Sequence, residues 1–200
     1  MFRAMLDAKL EPSATALQAV VRTLTTATCS VNLAAHTKAM QADSALELFD
    51  GAVSRGARPE VLRRGAFPLL GRLYELGRLD GMNRVIAALP ERDVPSPFRA
   101  GVAHLSGDAD TAAALMAAHF ENISGDTWRG MTEQPTRGIL EDAALGQEAR
   151  SRLVAAIKSM HGDRSVPEAI EAAFEEPSVA VEEGEGDSSG ESVDEEETTA

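Results

Sequence analysis

The side chains that most often take part in catalysis are few and scattered in this sequence. Its four histidines are His36, His104, His119 and His161, and its one cysteine is Cys29. A helical hairpin could bring His104 and His119 together, but we interpret both as packed or surface histidines rather than metal ligands. The chain also lacks the phosphate-binding pattern G-x-x-x-x-G-K-[ST] and the zinc-binding pattern H-E-x-x-H. We therefore predict no catalytic residue, no metal site and no cofactor, and we expect that the protein is not an enzyme.

The clearest concentration of functional groups is a set of arginines, which we call the arginine cluster. Its members are Arg55, Arg58, Arg63, Arg64, Arg72, Arg78 and Arg84. Arginine binds phosphates and stacks on bases, so the cluster is a candidate RNA-binding surface, with Arg63, Arg64 and Arg72 as its candidate contacts. Several acids lie among these arginines. The alternative is therefore that the arginines line solvated helix faces and stabilise the carboxyl ends of helices.

Charge is unevenly distributed along the chain. The formal net charge is −13, yet residues 175–200 contain 11 acids and no lysine or arginine, while residues 1–100 contain 13 bases and 10 acids. The acidic segment has no aromatic residue and few bulky ones, so we predict a disordered tail over residues 175–200. Such a tail either keeps the protein soluble or occupies the arginine cluster in competition with RNA.

Length and composition are those of one medium-sized domain with tails. The chain has 200 residues, of which 44% are hydrophobic and 4% aromatic, so small aliphatic residues must fill its core. The single cysteine excludes an internal disulfide, and no apolar run approaches the ~18 residues of a membrane span. The first 31 residues contain three bases, but Asp7 and Glu11 argue against a mitochondrial presequence, which is poor in acids.

Helical periodicity dominates the sequence up to residue 174. We predict helices over Ala45–Val53, Val61–Leu76, Met82–Leu89, from Ser96 to Ser106, from Asp110 to Phe120, over Gln147–His161 and from Ser165 to Phe174. Ser44 and Glu47 form a capping box before the first of these helices, and Gly56 and Gly77 end two of them. Residues 121–138 have the composition of a loop. No stretch alternates with the period of a β-strand, so we predict an all-α fold.

The predicted helices recur as hairpins that are followed by a turn with proline. These turns end at Pro12, Pro59 and Pro95, which are 47 and 36 residues apart. The segment Ser44-Ala-Leu-Glu-Leu-Phe49, with the turn that ends at Pro59, resembles the second helix and closing turn of a pentatricopeptide repeat. Leu76-Gly-Arg-Leu-Asp80 resembles the turn between the two helices of such a repeat.

The resemblance divides the chain into copies of one unit. A partial copy covers 1–12, copies cover about 13–60 and 61–95, and a degenerate copy covers 96–120, followed by a loop at 121–138, C-terminal helices at 139–174 and the acidic tail. The family implies helical hairpins stacked into a right-handed superhelix, an α-solenoid. Because Met1 falls within a helix of the first unit, we expect either a fragment of a longer array or an unusual first helix that caps it.

The resemblance also implies a function. Similar proteins bind single-stranded RNA in mitochondria or chloroplasts, at about one base per repeat. The family's base-reading positions correspond here to Gln18 with Glu60 and to Gly65 with Ser96. On this basis we expect a mitochondrial protein that binds single-stranded RNA through these positions and the arginine cluster, and that works in RNA processing or translation.

The same repeats are also compatible with a scaffold that reads no bases. Gln18 and Glu60 differ from the residues that the family uses for reading, and Gly65 has no side chain for it. Degenerate helical repeats also serve as structural parts of mitochondrial ribosomes and RNA-processing complexes. The expected partners are therefore single-stranded RNA, proteins of an organellar ribonucleoprotein assembly, or both, without a membrane or a small-molecule substrate.

Overall fold

The structure is a computed structural model, which describes residues 14–25, 35–123, 130–161 and 166–174. Helices are the only regular secondary structure in these ranges, so the prediction of an all-α fold is confirmed for this part of the chain. The helices are α1 Ala14–Thr25, α2 Ala35–Ser54, α3 Pro59–Glu75, α4 Leu79–Ala87, α5 Ser96–Leu105, α6 Ala109–Glu121, α7 Gly130–Glu141, α8 Gln147–His161 and α9 Glu168–Glu171, with 3₁₀ turns at Glu91–Asp93 and Ala172–Phe174.

Glycines end three of these helices, as the sequence predicts. Gly56, Gly77 and Gly107 follow α2, α3 and α5 and have φ angles of +74°, +65° and +82°. Glycine is favoured there because a Cβ would crowd the backbone at positive φ. After α2, the Gly56 N–H donates to the Val53 carbonyl and the Ala57 N–H donates to the Ala52 carbonyl. These bonds satisfy the last carbonyls of the helix and turn the chain back towards α3.

Helix α2 begins earlier than the sequence indicates. It starts at Ala35, so Ser44 and Glu47 lie inside it and the predicted capping box is wrong. The reason is that the apolar face continues one turn further towards the amino end, where Ala42 is fully buried like Phe49. This continuous face stabilises the helix across a stretch whose own sequence suggests a start signal.

The start of α6 also differs from the prediction. Asp108 is the N-cap, and its Oδ1 accepts the N–H of Thr111 at 3.0 Å. Asp110, the predicted first residue, lies in the first turn instead and accepts the N–H of Gly146 from the loop before α8 at 2.7 Å. The sequence offers two acids near this helix start, and only the tertiary contact to Gly146 assigns them different roles.

Helix α7 corrects the predicted loop. Residues 130–138 of the predicted 121–138 loop are helical, and α7 continues to Glu141. Pro135 lies inside this helix and is buried, although an internal proline removes one backbone hydrogen bond. The Thr136 hydroxyl donates to the Thr132 carbonyl at 2.6 Å, so its own polar group is satisfied within the helix. Packing against other helices thus outweighs the low helix propensity of this segment.

The helices bury their apolar faces in two clusters. The first cluster extends from Leu17 in α1 to Phe98 in α5, and the second extends from Ala100 in α5 to Ala173 in the last turn. Each of the first six helices packs against the next one along the chain. Helices two places apart also pack, as α1 does with α3, α3 with α5, α5 with α7 and α6 with α8, and α7 contacts α3 as well.

Several predictions fall on residues outside the described ranges. They are the partial repeat 1–12, the start of the last helix at Ser165 and the tail 175–200. None of the described helices combines the length and the apolar composition that crossing a lipid bilayer requires.

Candidate functional site

Acidic side chains neutralise much of the arginine cluster. Among the residues that the structure describes, its members form the ion pairs Arg63–Asp93 at 3.8 Å, Arg72–Glu75 at 2.5 Å, Arg78–Asp43 at 3.5 Å and Arg84–Asp50. Arg55 donates to the Gly51 carbonyl at 2.9 Å, which satisfies the carboxyl end of α2. These contacts match the alternative in which the arginines line helix faces and helix ends.

Apart from Glu75, the pairing acids come from other elements of the fold than the arginines they contact. Asp43 and Asp50 lie on α2, and they face arginines at the start and the end of α4. Lys38 on α2 adds a third contact, since its Nζ lies 3.8 Å from Glu75 at the end of α3. Together these pairs form a row of opposite charges between α2 and the α3–α4 hairpin. A phosphate that approached this row would have to compete with carboxylates already in place.

Two of the predicted RNA contacts, Arg64 and Arg72, differ in how far their side chains are exposed to solvent. Arg64 is exposed on α3 and forms no ion pair with any residue that the structure describes. The side chain of Arg72 is only 16% exposed and contacts Glu75 one turn further on. Arg64 is thus the member of the cluster best placed to meet a phosphate from solvent.

A cleft of about 330 Å³ opens between α2 and the α3–α4 turn. Leu46 and Leu73 form part of its apolar wall, and Gly81 leaves room for them because a Cβ there would lie 3.0 Å from Leu73. It is also lined by Asp43, Arg78 and Arg84 of the ion-paired row and by Asp80 in the first turn of α4. Opposite charges therefore balance around the cleft, which gives it no clear preference for an anion.

The four predicted base-reading positions have different surroundings. Glu60 is exposed in the first turn of α3, whereas Gln18 on α1 and Ser96 at the start of α5 are half-buried. Gly65 is buried, and a Cβ on it would lie 3.1 Å from the Leu17 side chain. Gly65 therefore serves the close packing of α1 on α3 and does not face solvent. No hydrogen bond joins any two of these four residues in the described structure.

Sequence reasoning missed a partly buried polar contact between three helical segments. The Tyr74 hydroxyl lies 2.7 Å from His104 Nδ1, and His104 Nε2 lies 3.2 Å from Asp142 Oδ2. Asp142 directly follows α7, and its other oxygen accepts the Ala144 N–H at 2.9 Å, which fixes the carboxylate. We call this arrangement the Tyr–His–Asp bridge.

The contacts of the Tyr–His–Asp bridge assign its protons. A carboxylate only accepts, so the Nε2 atom that faces Asp142 carries the ring proton in neutral His104, and Nδ1 is left to accept from the Tyr74 hydroxyl. Burial, with the nearby carboxylates Asp142 and Glu141, raises the pKa of Tyr74 above its usual value. Tyr74 is therefore a neutral hydrogen-bond donor rather than a phenolate nucleophile or base.

Two glycines make the space that Tyr74 occupies. A Cβ on Gly138 of α7 would lie 2.6 Å from the Tyr74 hydroxyl, and one on Gly101 of α5 would lie 3.0 Å from the tyrosine Cδ2. Tyr74 is 9% exposed, and its side chain is enclosed between α5 and α7. The signals in the sequence were the single tyrosine and these two glycines, of which Gly138 lies in the predicted loop, but nothing in their spacing connects them.

The other histidines described by the structure do not join the bridge. The His119 ring lies 5.7 Å from that of its neighbour Phe120, and burial lowers the pKa of His119. His104 thus contacts Tyr74 and Asp142, with an acid that comes from 38 residues further along the chain. Within the described ranges, no group of three or more histidine, cysteine, aspartate or glutamate side chains could hold a metal ion.

Comparisons of the chain with protein-family models, with curated proteins and with solved structures found no match. What the chain does therefore has to be inferred from its own residues and contacts.

Proposed function

We propose that this chain is a helical-repeat scaffold that holds its place in a larger assembly through protein contacts and reads no bases. Each of its first six helices packs against the next, and several also pack against the next but one, as stacked hairpins in a solenoid do. Such a fold presents long helix faces to partners. The resemblance to pentatricopeptide repeats supports an organellar, mitochondrial ribonucleoprotein assembly as the setting.

The observation that supports this proposal most strongly is the ion pairing of the arginine cluster. RNA binding draws its affinity from basic side chains that replace counterions on phosphates. Here arginines of the cluster already form ion pairs with Asp43, Asp50, Glu75 and Asp93. A surface with balanced charge has little attraction for a polyanion but suits a protein partner with its own mixed charges.

The burial of Gly65 supports the same proposal. In pentatricopeptide repeats the corresponding position presents a side chain to a base, whereas here Gly65 packs against Leu17 of the neighbouring helix. Extending Gly65 with a polar side chain would push against that contact before it reached solvent. At most one pair of the family's base-reading positions, Gln18 with Glu60, is left in this chain.

RNA binding is the second candidate function, and the exposure of Arg64 favours it. This arginine has no ion-pair partner in the described structure and can approach a phosphate. If RNA binding is the function, Arg64→Glu should weaken the affinity for single-stranded RNA and reduce its salt dependence. Arg152→Glu is a matched control, because Arg152 is an exposed arginine on α8, away from the cluster.

The two candidates are separated by purifying the tagged full-length protein from its own cells with and without nuclease. The scaffold proposal predicts a fixed set of proteins that co-purifies in equal amounts after nuclease treatment. Loss of those proteins with nuclease, together with transcripts that crosslink directly to this chain, would replace the scaffold proposal with RNA binding.

A further inference from the structure

Helix α5 lies between the two hydrophobic clusters and contributes to both. Phe98 belongs to the first cluster and its ring lies 5.5 Å from that of Phe67 on α3, whereas Ala100 belongs to the second. Apolar contacts thus change from one cluster to the other within a single turn of this helix. Small side chains such as Ala100 give limited contact area at such a boundary, so apolar packing alone connects the clusters weakly.

The Tyr–His–Asp bridge crosses this boundary. Tyr74 is a member of the first cluster, and Asp142 follows Ile139 and Leu140, which are fully buried in the second. His104 on the shared helix α5 contacts both ends of the bridge. The bridge is therefore a direct polar contact between a residue of the first cluster and the end of a helix that packs in the second.

We propose that the Tyr–His–Asp bridge couples the two clusters energetically, so that they open and unfold as one unit. Moving α3 away from α5 would separate the Tyr74 hydroxyl from His104 Nδ1, and moving α7 away from α5 would separate His104 Nε2 from Asp142. Either movement would leave a partly buried polar group without its partner. An unsatisfied buried donor or acceptor costs far more than an exposed one, so the separated state is disfavoured.

The two glycines around Tyr74 strengthen this coupling. Because Gly101 and Gly138 allow both helices to approach the ring, separating them would also open a void along the tyrosine. Separating these helices therefore costs both the lost hydrogen bonds of the bridge and the lost packing around Tyr74. A partner that binds one cluster would change the opening of the other for as long as the bridge is intact.

Native-state hydrogen–deuterium exchange on the full-length protein tests the coupling. Val85 is fully buried in the first cluster, so Val85→Ala weakens that cluster without touching the bridge. In the wild-type background, the slowest amides of both α3 and α8 should exchange about tenfold faster, which corresponds to about 1.4 kcal/mol. In the Tyr74→Phe background, Val85→Ala should accelerate α3 by a similar factor and leave α8 unchanged.

Tyr74→Phe keeps the ring between the two glycines and removes only the hydroxyl, and Asp142→Asn provides a second bridge variant if the first does not fold. The proposal is overturned if Val85→Ala accelerates α8 equally with and without the bridge. It is also overturned if Val85→Ala never affects α8 in the wild-type background, because the clusters would then open independently. This outcome does not depend on whether the partner of the protein is RNA or another protein.

Discussion

At the scale of single residues, the position of Tyr74 is constrained from several sides. Its hydroxyl is held by His104, and its ring is enclosed by Gly101 and Gly138. The side chain cannot yield to a larger neighbour without losing the 2.7 Å contact to the imidazole. Substitutions at these glycines are therefore expected to act through Tyr74 rather than through the backbone.

We predict that Gly138→Ala destabilises the protein by about 1–3 kcal/mol, because overpacking a filled site forces side chains or helices apart. The new Cβ would lie 2.6 Å from the Tyr74 hydroxyl. Chemical denaturation followed by circular dichroism measures the change in the free energy of unfolding.

Gly71→Ala is the matched control for this prediction. Gly71 is also inside a helix, α3, but a Cβ there would meet nothing within 4 Å. Alanine is the better helix former, so this variant should gain about 0.5–1 kcal/mol. Equal effects of the two substitutions would show that helix propensity, not contact with Tyr74, determines the cost at Gly138.

At the scale of secondary-structure elements, the start of α6 shows how a local charge stabilises a helix. Asp108 accepts hydrogen bonds from Thr111, and these bonds hold the pKa of the Asp108 carboxyl below its usual value. A lowered pKa means that folding favours the ionised form. The stabilisation is therefore present at neutral pH and is lost as the pH falls below about 4, through the pKa of the folded state.

We predict that Asp108→Asn removes this part of the pH dependence. The melting temperatures of wild type and variant, measured between neutral pH and acid, should differ less at the acid end, where the wild-type carboxyl is protonated. A constant difference across the whole range would show that ionised Asp108 does not stabilise α6.

The same scale shows which elements could be predicted from the sequence. The bounds of α8 agree with the predicted Gln147–His161, because the apolar period and the absence of glycine and proline are local properties. Helix α7 was not predictable, since Pro135 and Gly138 indicate a loop when read locally. Only the tertiary structure explains them: Pro135 is buried, and Gly138 makes room for Tyr74.

At the scale of the whole molecule, the sequence predicts only one part of the candidate interaction surface, its arginines. The sequence shows where the arginines are, but not which acids they meet. Arg84 contacts Asp50, which lies 34 residues earlier on α2. Arg78 contacts Asp43, which also lies on α2. Such partners are set by how α2 packs on the α3–α4 hairpin. The Tyr–His–Asp bridge was unpredictable for the same reason, because its three residues come from distant segments.

Exposed ion pairs contribute little to stability, typically 0–1 kcal/mol for each pair. The pairs of the arginine cluster therefore matter more for what the surface attracts than for how firmly the protein folds. Removing the acids should leave the fold intact and free the arginines to bind phosphate. This expectation allows the central claim, that the acids of the fold prevent this surface from binding RNA, to be tested directly.

The most direct measurement is the affinity for single-stranded RNA as a function of salt, for wild type and for the variant Asp43→Asn/Asp50→Asn/Asp93→Asn. A variant with Glu148→Gln, Glu168→Gln and Glu171→Gln changes the net charge equally but frees no arginine of the cluster, and it serves as the control. We predict weak binding by wild type and control. Freeing three arginines should give tighter binding, with a slope of log K against log salt steeper by about 2. If the wild type binds RNA tightly and the three aspartate substitutions leave that affinity unchanged, the result contradicts the scaffold proposal.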